Sequence, residues 1–112
     1  MTQSLSTPDV PPVADASALA PGLRLDGLEI EKLIARSAFG MVYLARDSVT
    51  GAHVAVKEYL PTAYARRQAD GVRIELRDPS HGTAFERGLR AFIDEARLFE
   101  RVDHPSLVHV RR

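Results

Sequence analysis

A chain of 112 residues can bury one small hydrophobic core and not two. Its 15 basic and 15 acidic residues cancel and gather into no long block of one sign, so it lacks the electrostatic footprint of a nucleic-acid binder or of a protein drawn to an acidic membrane surface. Cysteine is absent, which excludes disulfides, thiolate metal sites and cysteine nucleophiles together.

The first twenty residues carry neither a basic leader nor a long apolar run, so no secretory signal or membrane span is expected in them, and a cytoplasmic setting is the default. Residues 1–22 hold four of the seven prolines among Ser, Ala and Thr, with almost no aromatic character. Such a stretch buries too little surface to offset the entropy of ordering. A disordered arm over 1–22 and a folded domain over 23–112 are expected.

Leu28, Ile30 and Ile34 alternate loosely with Glu29 and Glu31, which predicts a first strand over 25–34, and residues 41–46 continue as a second. Residues 35–40 are then a hairpin tip, and Ser48-Val49-Thr50-Gly51 is the next turn. The third strand is His53-Val54-Ala55-Val56-Lys57-Glu58-Tyr59. Three antiparallel strands follow.

Lys57 is the anomaly of that third strand. Alternation sets Val54 and Val56 on one face and Ala55 and Lys57 on the other, so a cation stands beside a small methyl group with room for a ligand. The plain alternative is a solvated lysine near a strand end, since lysine is almost never buried unpaired.

Between 60 and 83 the chain makes a longer connection, expected to be a solvated excursion. Pro61 opens a short helical turn through Tyr64, Asp70-Gly71 marks a turn, and Val72, Ile74 and Leu76 alternate with charged residues as a brief extra strand. Arg66 and Arg67 are expected in solvent.

Residues 84–101 read as one long helix. Phe85, Leu89, Phe92, Ile93, Ala96 and Phe99 recur at spacings of three and four and draw an apolar stripe. Thr83 with Glu86 has the pattern of a capping box, and Pro105 marks the stop. Glu86 has Arg90 as a local partner, Asp94 has Arg90 and Arg97, and Glu100 has Arg97. Glu95 has only Ala91, Phe92, Leu98 and Phe99 at those spacings, so its carboxylate looks for a cation elsewhere, and Lys57 is the candidate. The histidines, at 53, 81, 104 and 109, have no metal-ligand spacing, and no Ser-His-Asp arrangement can be argued.

Taken in order, these features resemble the small, amino-terminal lobe of a protein kinase of the bacterial serine/threonine type. Ile34-Ala35-Arg36-Ser37-Ala38-Phe39-Gly40 with Val42 stands where that family has its glycine-rich loop, and Val54-Ala55-Val56-Lys57 resembles its third-strand lysine motif. Glu95 falls at the glutamate of helix C, and His104-Pro105-Ser106-Leu107-Val108 resembles the approach to the fourth strand.

The resemblance implies an α+β fold, an antiparallel sheet of three to five strands packed on one long helix. It implies ATP as ligand, with residues 34–40 near the phosphates, Val42 and Ala55 over the adenine beside Ile34, Lys57 on the phosphates and Glu95 holding Lys57. The pattern departs from the family where Ala35 and Ser37 replace the first two glycines and only Gly40 remains, so phosphate binding should be weakened.

Phosphoryl transfer from ATP to protein Ser/Thr, and magnesium, would belong to the complete enzyme. Nothing in the sequence resembles His-Arg-Asp or Asp-Phe-Gly. The expectation is a truncated lobe, inactive alone, whose partners are ATP and a protein substrate or the missing larger lobe. The alternative is a non-catalytic, pseudokinase-like interaction module.

Overall fold

The computed structural model describes residues 13–97 and 107–110. Strands β1 (Arg24–Leu25) and β2 (Leu28–Ser37) are joined by Asp26-Gly27, with φ of 51° and 79°. Two successive positive φ angles make the tight turn whose twist suits antiparallel strands, and Asp-Gly is a pair that tolerates them. The single strand expected over 25–34 is therefore a hairpin, broken where the chain reverses.

Ala38-Phe39 turns β2 into β3 (Gly40–Asp47), and residues 48–52 turn β3 into β4 (His53–Tyr59). At the second turn the Asp47 carboxylate accepts from the amides of Val49 (2.8 Å) and Thr50 (3.2 Å), and Gly51 takes φ 77°. Strand β7 (Leu107–Val110) pairs with β4. All pairings are antiparallel, in the order β1-β2-β3-β4-β7.

Cross-strand register sorts the side chains. Tyr43 lies opposite Leu33 and Val56, and Ala45 lies opposite Ile30 and Val54, all on one face and all buried. That face is the core. It is closed partly by the segment before β1. Leu19 is only 3% exposed, Val13 donates its amide to the Leu33 carbonyl (2.9 Å), and Gly22 donates to Ile30 (2.7 Å). The stretch 13–22, expected to be disordered, is instead packed on the sheet: Leu19 supplies an apolar anchor, and backbone bonds to β2 satisfy the Val13 and Gly22 amides. Residues 1–12 lie outside the described residues.

The long connection after β4 closes the rest of the core. Leu60, Pro61 and Ala65 are buried. The expected turn forms, Tyr64 donating to the Pro61 carbonyl (3.0 Å), and leads into a second antiparallel sheet of β5 (Ala65–Arg67) and β6 (Ile74–Leu76). The extra strand is real, but its hairpin is a wall of the core and not a solvated excursion.

Helix α1 (Gly82–Arg97) starts earlier than expected, because a 3-10 turn over Pro79–His81 feeds directly into it. Asp78 caps that turn by accepting from the Ser80 amide (2.8 Å), and Thr83 sits inside the helix and not at its cap position. Phe85, Leu89, Phe92 and Ile93 form a half-buried stripe. The pairs Glu86–Arg90 and Asp94–Arg90 are not formed among the described residues. The expected continuation to 101 and the stop at Pro105 lie outside them.

Candidate functional site

The second face of the sheet carries the residues singled out by sequence. Ala35 lies opposite Val42, Val42 opposite Lys57, and Lys57 opposite Val108, so one cross-strand row runs through the anomalous lysine. The neighbouring row pairs Leu44 with Ala55. Val42 and Ala55 are half-buried, Leu44 is buried, and Lys57 is exposed. The result is an apolar ledge with a cation at its side.

Helix α1 docks on this same side. Tyr59, two residues beyond Lys57 on β4, packs against Phe85 and Phe92 at ring-centroid distances of 5.2 and 5.4 Å and donates its hydroxyl to the Phe85 carbonyl (3.0 Å). Gly88 makes this approach possible, because a Cβ there would collide with the Tyr59 hydroxyl. A glycine inside a helix costs about 1 kcal/mol relative to alanine, and here the close contact explains it.

Glu95 lies one turn beyond Phe92, on the exposed side of α1. Among the described residues it forms no ion pair with Lys57. Sheet and helix thus share a face, but the two charges do not meet.

Residues 35–39 are exposed, with Phe39 at 69%, and Ile34 and Gly40 are partly covered. The tip they form is tied down. Leu60 donates its amide to the Phe39 carbonyl (2.9 Å) and Thr62 to the Ala38 carbonyl (3.1 Å). Gly40 packs so closely on β4 that a Cβ would collide with the Glu58 carbonyl. The retained glycine therefore has a local reason: backbone meets backbone there.

Sequence reasoning passed over Glu58. It points to the core face, 3% exposed, and accepts both forks of Arg67, Nη2 to Oε1 at 2.6 Å and Nη1 to Oε2 at 2.7 Å. Tyr43 donates its hydroxyl to the same carboxylate (2.8 Å). Arg67, expected in solvent, has a side chain only 6% exposed. Burial works against its charge, but the bonds and charge of Glu58, together with Tyr43, more than offset it and push the guanidinium above its ordinary value. Alternation placed Glu58 beside Val54 and Val56, and that was the available signal.

The solved structure of PpkA-294 in its apo form matches 86% of the chain with a TM-score of 0.77 and 34% sequence identity. The chain spans 39% of the length of that structure's chain. No protein-family model and no curated protein matches. Among the described residues no helix is long and apolar enough to cross a membrane. An antiparallel sheet with one helix on the Lys57 side and this likeness together make the fold kinase-like.

Proposed function

We propose that the Lys57 face binds ATP and that this chain is the small lobe of a serine/threonine protein kinase. Phosphoryl transfer from ATP to a protein Ser/Thr belongs to the complete enzyme, in a cytoplasmic setting. The observation that carries the reading is the row Ala35–Val42–Lys57 beside Ala55. An apolar ledge suits a flat base, and a cation with no carboxylate partner among the described residues is open to phosphate.

In this reading α1 is helix C, and Glu95 meets Lys57 only in the complete, nucleotide-bound enzyme. Among the described residues no cluster of His, Asp and Glu is arranged to hold a metal ion, so magnesium would be held by nucleotide phosphates and by the rest of the kinase. Alone, the chain binds nucleotide weakly and transfers nothing.

A second reading, a non-catalytic interaction module, is favoured by Ala35 and Ser37 in the tip, whose side chains restrict close approach to phosphate oxygens. Melting curves with magnesium-ATP separate the two. A small upward shift in Tm that Lys57→Ala removes, with no phosphate release above background, supports the nucleotide reading. No shift at any nucleotide concentration supports the module, and a strong shift that survives Lys57→Ala contradicts the assigned site.

A further inference from the structure

The polar cluster behind the sheet joins three segments distant in sequence. Arg67 on β5 donates through Nε to the Ser17 carbonyl (2.8 Å) and through Nη1 to the Val72 carbonyl (2.8 Å), besides its two bonds to Glu58 on β4. Tyr43 on β3 donates to Glu58 and accepts from the Leu19 amide (3.0 Å). The segment before β1 is thus held by two side chains that both hold Glu58. Glu58 in turn lies next to Lys57, its carbonyl packs on Gly40, and two residues later Leu60 holds the Phe39 carbonyl at the tip.

We propose that residues 13–23 are an intramolecular clamp: by docking on Arg67 and Tyr43 they fix Glu58, and through it the hairpin tip over the Lys57 face. Arg67, Tyr43 and Glu58 are positioning residues and touch no ligand. With the clamp docked, each nitrogen of the Arg67 guanidinium and the Tyr43 hydroxyl has an acceptor. With the clamp lifted, Arg67 loses the Ser17 carbonyl and Tyr43 the Leu19 amide, water enters, and the buried pair that orders the end of β4 loosens. The tip then gains freedom because its ties, the Leu60 and Thr62 amides, lie just beyond that strand end.

The consequence for nucleotide rests on the reading of the Lys57 face given above, whereas the coupling itself does not. Amide hydrogen exchange of the 112-residue chain tests the coupling without any nucleotide. Tyr43→Phe removes both the bond to Glu58 and the acceptor of the Leu19 amide, and Leu19→Ala weakens the clamp without touching Glu58 or the tip. In both, the Val13 and Gly22 amides should exchange roughly tenfold faster. The Leu60 and Thr62 amides should follow by several-fold, while the Asp47 and Gly51 amides at the opposite turn keep their rates.

Three results overturn the proposal: unchanged clamp amides, faster clamp amides with Leu60 and Thr62 unmoved, or equal acceleration everywhere, which is plain destabilisation. Should one variant fail to fold, the other decides. A weaker magnesium-ATP response in Leu19→Ala extends the coupling to ligand. Coupled exchange in a chain that binds no magnesium-ATP keeps the clamp and discards the nucleotide reading.

Discussion

Lys57 and Glu58 are neighbours on one strand, and the sheet sends them to opposite environments. Lys57 stands exposed beside Val42 and Ala55, with no ion pair to the acid of α1. Glu58 is enclosed, chelated by Arg67 and capped by Tyr43. A partnered, buried charge is committed to structure, and an unpartnered, exposed one is available to a ligand. The contrast separates what holds this fold from what it offers.

The largest way to break the contrast is on the Glu58 side. Glu58→Ala or Arg67→Ala leaves one buried charge without its partner and should lower unfolding free energy by about 3–5 kcal/mol in urea titration. Removing both with apolar residues of similar size should cost clearly less than the sum, since no orphan charge remains.

Next come the glycines that allow close approach. Gly40→Ala should cost about 1–3 kcal/mol, because the obstacle is the Glu58 backbone, which cannot step aside. Gly88→Ala would ordinarily stabilise a helix by about 1 kcal/mol, but its collision with Tyr59 should reverse the sign. Tyr59→Phe in the same chain should recover part of the loss.

A smaller effect is the pH dependence of the same cluster. Burial, and next the Glu58 carboxylate, push the Tyr43 hydroxyl well above its ordinary value. The folded state keeps that proton where the unfolded chain, titrating near 10, loses it, so stability should fall as pH rises past about 10. Tyr43→Phe should flatten this alkaline limb, as followed by melting temperature.

The surface turn of β5–β6 gives the acid counterpart. Arg73, together with the Val72 and Arg73 amides, lowers the Asp70 carboxyl to about 2. Its contribution is present above the unfolded value of 3.8 and is lost as pH falls through about 2. Asp70→Asn should remove that slope. Smallest of all for stability, Lys57→Ala should leave unfolding within about 0.5 kcal/mol of the parent while abolishing the magnesium-ATP response.

Much of this architecture could be read from the chain, because hydrophobic period and turn chemistry are local. The strand 53–59, the turn at Asp70-Gly71 and the apolar stripe of α1 all follow from nearest neighbours, as does the existence of a tip within 35–40, although the strands run on to Ser37 and resume at Gly40 and so shorten it to 38–39. What escaped was set by distant parts. The same Asp-Gly signal at 26–27 went unused inside an apparently continuous strand. Proline-rich composition suggested disorder for 13–22, but composition cannot show that Leu19 has a pocket and that Ser17 has Arg67 fifty residues on.

The candidate site divides along the same line. Alternation located Lys57 and Ala55 on one face, the kinase resemblance added Val42, and strand pairing sets Val42 opposite Lys57. The partner of Glu95 could not be located that way, because where a helix side chain ends depends on how the helix docks. Tyr59 and Gly88 fix that docking, and they leave Glu95 in solvent.

Methyl resonances during a magnesium-ATP titration measure the two faces of β4 separately. The Val42 and Ala55 methyls should shift with a common saturation curve, the Val54 and Val56 methyls should stay in place, and Lys57→Ala should erase the response. Shifts confined to Val54 and Val56, or an undiminished response in Lys57→Ala, would contradict the assignment of the nucleotide to the lysine face.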